Sequence, residues 1–365
     1  MTRQRQVSSW IVAIFILLLP TRWANGGGKD FSCRCETTND VMTWNKPPIS
    51  GFDIRFASGK SAPAIPFELD GHRILLRVSV NGSPPLSFLL DTGVGHIILG
   101  LQHAKSFGMR LQPAGMTSAT LPVAEQRDVY LVTDKASFRL PGVVFSSQIL
   151  VAISLDKHQE CTDQLTDGGR DQNTPSGQSV KEETGRVVDG YLGTGFFSNF
   201  VVEIDYAARL INLYDPQSYK YTGKGKSIPL EMSSDKDIFV RAQVTVPEHP
   251  PVTARLLIDN GAATDLLLGR QFAESHKLLP PVEKLKVATA CMVGNRLEVW
   301  TGTLEALQIN DFKVPNPLTI FSQLSDDQDY DGILGGLALR NFKVIFNYAR
   351  SRMILEPPGP VKSSK

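Results

Sequence analysis

The chain has no surplus of charge of either sign: Lys+Arg number 38 and Asp+Glu 37. That excludes a protein built to hold nucleic acid by neutralising phosphates, which needs an excess of cations. Cysteine is scarce. The four residues, Cys33, Cys35, Cys161 and Cys291, contain no Cys-x-x-Cys pair, so the usual spacing for a zinc site is missing. The histidines are scattered, with no His-Glu-x-x-His, and no Gly-x-Ser-x-Gly occurs. The signatures of zinc peptidases and of serine hydrolases are therefore absent. Past the first twenty residues no apolar run approaches the ~20 residues of a membrane-spanning helix. Gly223–Ser227 reads Gly-Lys-Gly-Lys-Ser, but Lys220 stands where a phosphate loop needs its first glycine. That stretch is expected to be a linker between lobes.

What is present points to an exported, turn-rich β protein. Arg3 and Arg5 precede an apolar core from Ile11 to Leu19, Pro20 ends it, and Ala24-Asn25-Gly26 offers small residues for cleavage. Residues 1–26 are expected to be a signal peptide, because the apolar run is too short to span a bilayer. An uncleaved anchor is the alternative. The expected location is secreted or periplasmic, with no stable membrane span after cleavage. In such a compartment the four cysteines could form two disulfides, whose pattern the sequence leaves open.

The 365 residues suffice for two domains. Residues 27–62 are polar and aperiodic and are expected to form a flexible lead-in. From Ile65 onward, short apolar runs alternate with Gly, Pro, Asn and Asp, as strands alternate with turns. Short helices fit Leu101–Phe107 and Gly269–His276. Residues 156–186 carry almost no apolar side chain except Leu165 and Val180, and read as a polar surface insertion.

The decisive feature is a repeat. Phe88–Gly100 reads FLLDTGVGHIILG, and Leu256–Gly269 reads LLIDNGAATDLLLG. Asp91 and Asp259 stand 168 positions apart. FRLPGVVF from Phe138 parallels LQINDFKV from Leu307 at an offset of 169, and the stretch from Val188 parallels that from Tyr330 at 142. The offset shrinks by about the length of the insertion, which only the first copy carries. Two like lobes are expected, residues 63–217 and 218–358, with a tail at 359–365.

One Asp-x-Gly is a turn. Two of them on like lobes paired about a two-fold axis would face each other. Carboxylates so close cannot both ionise cheaply, so one becomes a base and the other an acid. Gly93 and Gly261 would allow the tight approach. Thr92 could bond across the axis, and Asn260 has the donor and acceptor atoms to do the same. Gly193 and Gly335 would let a strand pass close beneath each loop.

On these motifs both halves resemble the retropepsin-like aspartic protease domain, and the pair resembles a pepsin-like, two-lobed aspartic protease. The resemblance covers about Ile65 to Pro358. It rests on Asp91-Thr92-Gly93, on IILG and LLLG, and on DGYLG and DGILG. It implies an all-β fold of two β-barrel lobes with a cleft between them. It further implies an aspartic endopeptidase with Asp91 and Asp259 as the catalytic pair, acting as a monomer on an extended peptide, without metal or organic cofactor. Asp259-Asn260-Gly261 departs from the family's Asp-Thr-Gly or Asp-Ser-Gly. The alternative from another class is therefore a secreted binding protein of the same fold that has lost catalysis. Flaps are expected near Ala124–Arg127, with Tyr130, and at Cys291–Asn295. His96 reads as a loop residue. Members of the family often carry Ser or Thr after Asp-Thr-Gly, whereas here Val94 and Ala262 cannot donate to a carboxylate. Activity is therefore expected at mildly acidic pH, roughly 4.5 to 6.5.

Overall fold

The computed structural model describes residues 37–38, 41–42, 53–113, 117–118, 125–126, 129–147, 150–155, 186–292, 295–322 and 329–357. The expected signal peptide, Cys33, Cys35, Cys161, the interior of the 156–186 insertion and the 359–365 tail lie outside the described residues.

Two large sheets and a third, shared one account for the architecture. The first sheet runs Asp53–Phe56, Val143–Ser147, Ala136–Leu140, Arg73–Val80, Leu86–Leu90, Gly190–Leu192, Ile97–Gly100, Leu150–Ile153, Val129–Val132, Leu111–Pro113. Glu68–Asp70 pairs beside Arg73–Val80. The second runs Phe312–Pro315, Ala306–Ile309, Ile238–Thr245, Val252–Asp259, Gly332–Gly335, Leu266–Gly269, Leu318–Ser322, Asn295–Thr303, Lys286–Met292. Leaving aside the extra strand Asp53–Phe56, the two orders match strand for strand. Each contains a parallel pair at the same place: Gly190–Leu192 beside Leu86–Leu90, and Gly332–Gly335 beside Val252–Asp259. Phe88–Leu90, Gly332–Gly335 and the neighbouring Ile97–Gly100 are buried at every position, which is why FLL, GILG and IILG read as continuous apolar runs rather than alternating ones.

The third sheet joins the halves. Its order is Lys226–Pro229, Arg352–Glu356, Lys343–Asn347, Val201–Asp205, Leu210–Tyr214, Ser61–Pro66. Val201–Asp205 pairs with Lys343–Asn347, so the chain's two halves meet backbone to backbone. Ser61–Pro66 lies at the edge, where Pro63 and Pro66 withhold no bond that the ladder needs. Ala64 there takes φ 57, and its amide donates to Asn212 Oδ1 at 2.7 Å.

Two expectations are corrected. Residues 53–62 are no flexible lead-in: Asp53–Phe56 pairs with Val143–Ser147, and Ser61–Pro66 pairs with Leu210–Tyr214. Charged residues in Asp-Ile-Arg-Phe and prolines in the second strand hid both, because edge strands carry such residues without harm. Gly223–Ser227 is also not a plain linker, since Lys226 and Ser227 already belong to an edge strand.

The two expected helices form, as Leu101–Ser106 and Arg270–Ser275. Each ends in a left-handed residue, Gly108 at φ 66 and Lys277 at φ 55. The following amides turn back onto the helix: Met109 donates to the Ala104 carbonyl at 3.1 Å and Leu278 to that of Ala273 at 2.8 Å. The first lobe packs around phenylalanines. Phe138 stacks on Phe145 with centroids 5.1 Å apart, and Phe196 lies 4.9 Å from Phe200. No described helix is long and apolar enough to cross a membrane.

Candidate active site

Asp91 follows the strand Leu86–Leu90, and Asp259 ends the strand Val252–Asp259. Both are half-buried. Within each loop the glycine amide turns back to its own aspartate: Gly93 donates to Asp91 Oδ1, and Gly261 to Asp259 Oδ1, each at 2.8 Å. The loops then interpenetrate. A Cβ on Gly93 would fall 2.6 Å from Asp259 Cγ, and one on Gly261 would fall 2.4 Å from Asp91 Oδ2. Glycine is needed here for close approach, and the crowding is what brings the two carboxyls face to face.

Four hydrogen bonds hold the loops together. Thr92 Oγ1 donates to the Ile258 carbonyl at 2.9 Å and accepts from the Asn260 amide at 3.0 Å. Asn260 Nδ2 donates to the Leu90 carbonyl at 2.8 Å, and Asn260 Oδ1 accepts from the Thr92 amide at 2.7 Å. Each side chain thus accepts from the opposite loop's amide and donates to the carbonyl just before the opposite aspartate. Thr92 does this with one oxygen, and Asn260 does it with an oxygen and a nitrogen. Both are essentially fully buried, at 0% and 1% exposed. The departure from Asp-Thr-Gly therefore leaves the interlobe bonding complete.

Below the loops, Gly193 and Gly335 permit contacts that no other residue could make. A Cβ on Gly193 would lie 2.1 Å from the Val94 carbonyl oxygen, and one on Gly335 would lie 2.0 Å from that of Thr264. The expectation of a strand passing close beneath each loop holds.

Both aspartates are pushed above the ordinary carboxylate range. For Asp91 burial is the main cause, followed by the charge of Asp259, while the Gly93 amide and Arg73 pull the other way. For Asp259 burial again leads, opposed by its hydrogen bond with Asp91 and by the amides of Gly261 and Ala262. The two carboxyls are hydrogen-bonded to each other, so one proton belongs to the pair. Among the described residues the hydrogen bonds reaching them come from backbone amides and from each other. The side chains of Val94 and Ala262 add none. Val94 packs against a cluster containing Leu89 and Val151, and Ala262 against one containing Phe239 and Leu257.

His96 is a half-buried loop residue. The hairpin at Cys291–Asn295 forms, with Met292 opposite Asn295 at its end. In the first lobe Thr117–Ser118 pairs with Glu125–Gln126, while Ala124 and Arg127 lie outside the described residues. Tyr130 lies in the strand Val129–Val132 and is half-buried. Among the described residues no group of His, Cys, Asp and Glu is arranged to hold a metal. A separate groove of about 640 Å³ is lined by Arg55, Arg77, Arg139 and neighbours, none from the two loops.

Sequence reasoning missed a buried polar group at the base of the second loop. Asp70, His72 and Arg73 are 0%, 2% and 6% exposed. Arg73 Nη2 pairs with Asp70 Oδ2 at 2.5 Å, and His72 Nε2 lies 2.7 Å from the Gly261 carbonyl oxygen. The signal in the sequence was an Asp-Gly turn ahead of a long apolar strand; the repeat does not carry the group, since strand register places Lys236 and Asp237 where the first half has His72 and Arg73.

Residues 76–196 match a family model described as aspartyl protease. That stretch contains Asp91 and ends before Asp259. No curated protein matches the chain. Among solved structures, basic 7S globulin from soybean is similar at 11% identity, covering 87% of this chain and 97% of its own, with a TM-score of 0.44. A retropepsin-like aspartic protease from Rickettsia conorii is similar at 22% identity, covering 38% of this chain and 95% of its own, with a TM-score of 0.27. The family match falls on the stretch carrying Asp91-Thr92-Gly93, in keeping with the resemblance read from the motifs, and the fold is all-β, with two large sheets of matching strand order joined by a third.

Proposed function

We propose that the protein is an aspartic endopeptidase in which Asp91 and Asp259 together activate a water. The observation that carries this reading is the pair itself: two half-buried carboxyls, each interleaved with the opposite glycine and both raised by burial. The ionised member takes a proton from water as it attacks the peptide carbonyl, and the protonated member donates to the carbonyl oxygen. The carboxyl that took the water's proton passes it to the amide nitrogen, a proton of the diol returns to the other carboxylate, and the C–N bond breaks to give acid and amine, with no covalent bond to the enzyme. Thr92, Gly93, Asn260 and Gly261 support the pair by fixing its spacing.

The domain reading that goes with this is a tandem repeat, with lobes at 63–217 and 218–358 and an extended peptide lying between them. Export by the 1–26 signal and a monomeric state complete the proposal. Asn260 was the feature that favoured a non-catalytic binding protein. Its complete set of cross-loop bonds supports the catalytic reading.

The test is a peptide-library cleavage profile of the purified mature protein across pH, repeated with Asp91→Asn and Asp259→Asn. Each substitution is expected to lower turnover by at least ~10³-fold while the fold persists, as residues acting as a unit do. Near-normal turnover in Asp259→Asn would end the paired-carboxyl reading. A folded wild-type protein that cleaves nothing at any pH would instead favour the binding protein.

A further inference from the structure

His72 stands at the turn of the hairpin formed by Glu68–Asp70 and Arg73–Val80, next to Gly71 at φ 61. Its partner is the Gly261 carbonyl, which can only accept, so Nε2 carries the hydrogen and Nδ1 is the bare nitrogen. Nδ1 is buried and has no hydrogen-bond partner among the described residues. The imidazole is thus set in one neutral tautomer, with one end tied to the opposite lobe's loop and the other buried without a partner among the described residues.

The charged surroundings favour the neutral ring. Burial is the main influence and holds His72 down to about 4. The backbone bond to Gly261 works in the opposite direction. On its own hairpin, Arg73 disfavours a further positive charge and Asp70 favours one. From the other lobe Arg340, at the end of the helix Gly336–Leu339, also disfavours it. The loop it touches carries Asp259, which shares its proton with Asp91.

We propose that His72 is a positioning residue: its Nε2–H holds the Gly261 carbonyl, and the uncharged ring thereby fixes the loop that presents Asp259. The consequence follows through one peptide unit. Gly261 accepts from His72 with its oxygen and donates to Asp259 with its nitrogen. A protonated ring would need an acceptor for Nδ1–H. Turning the ring to reach an acceptor gives up Gly261 and lets the second loop shift relative to Asp91. This inference rests on the endopeptidase reading for its catalytic part alone.

The sign of the pH effect is fixed by linkage. A His held below its unfolded value of 6.5 gives stability that is fully present above pH 6.5 and is lost as pH falls toward about 4. The test compares wild type with His72→Gln, whose amide can donate to Gly261 without titrating, and with His72→Phe, which cannot donate. Denaturant unfolding from about pH 3.5 to about pH 7.5 reads the linkage without any activity. Relative to His72→Gln, the wild-type folding constant is expected to fall by up to about tenfold per pH unit across that window. The titrating aspartates are common to both proteins and drop out of the difference. In kinetics on a cleaved peptide, His72→Gln is expected to keep kcat within about threefold at pH 6 and to extend the acidic limb downward, while His72→Phe lowers kcat by about tenfold or more with little change in KM. Parallel stability curves for wild type and His72→Gln would overturn the proposal, as would an unchanged kcat in His72→Phe. If His72→Phe does not fold, the His72→Gln arms still decide. If the wild type cleaves nothing, the endopeptidase reading fails, and the unfolding curves still report whether the ring is tied and neutral.

Discussion

At the scale of single residues, Asn260 is the position where sequence and structure differ most in tone. Beside an Asp-Thr-Gly in the other half it reads as a flaw, because a hydroxyl can swap donor and acceptor roles and an amide cannot. Its two atoms are nonetheless placed so that each meets the partner it needs. Asn260→Thr should therefore fold with a melting temperature close to wild type, since one hydroxyl can make both bonds. Asn260→Ala should lose about 2–4 kcal/mol, because it leaves the Thr92 amide and the Leu90 carbonyl buried and unpaired. Asn260→Asp keeps the shape but loses the donor to Leu90, and it should be the more damaging the higher the pH. Denaturant titrations at two pH values would rank the three. A loss in Asn260→Thr as large as in Asn260→Ala would mean that the amide makes a contact a hydroxyl cannot copy. The two aspartates were legible because they recur. His72 was not, because its role depends on a carbonyl 189 positions away in the chain, and nothing in its neighbours' types records such a contact.

At the scale of elements, the same strand and helix carry different end residues in the two halves. The helix Leu101–Ser106 is closed by Gly108, and Arg270–Ser275 by Lys277, both left-handed. The left-handed region costs a residue with a Cβ about 1–2 kcal/mol, so Lys277→Gly should raise stability by up to about 1 kcal/mol once the looser unfolded chain is counted. A fall in the unfolding midpoint would show that the lysine side chain makes a compensating contact. Gly335 has no such latitude. Its Cβ would meet backbone rather than the tip of a side chain. Gly335→Ala should cost about 2–4 kcal/mol and spread the strand from its loop, lowering soluble yield and activity together. The strands that were easy to find from sequence are those buried on both faces. The strands that were missed, Asp53–Phe56 and Ser61–Pro66, sit at sheet edges, where charge and proline are tolerated and the apolar signal is thinned.

At the scale of the whole molecule, the six-stranded sheet decides how the halves behave. Its middle pair, Val201–Asp205 with Lys343–Asn347, takes one strand from each half. Phe197 also lies edge-on to Phe346, with centroids 5.4 Å apart. Neither half can open without exposing that shared ladder and the buried Thr92–Asn260 bonds. Unfolding should be a single transition, with far-ultraviolet circular dichroism and tryptophan fluorescence coinciding along a denaturant titration. Two separated midpoints would show that the lobes unfold independently. The pH dependence of that transition has two opposed parts. Asp91 and Asp259 are raised, so their contribution is full below the ordinary carboxylate value and fades as pH rises through their shared titration. The His72 contribution fades in the other direction, as pH falls toward about 4.

The ends of the polar insertion are anchored in one place. Ile153 and Val188 belong to a single buried cluster, and Leu155 packs against it. A cut anywhere between Asp156 and Gly185 would therefore sever the covalent chain without freeing either fragment. The pieces would share the first sheet, since Leu150–Ile153 pairs with Ile97–Gly100 and Gly190–Leu192 pairs with both Leu86–Leu90 and Ile97–Gly100. Such a nicked protein would run as two bands on a denaturing gel and as one species on a sizing column.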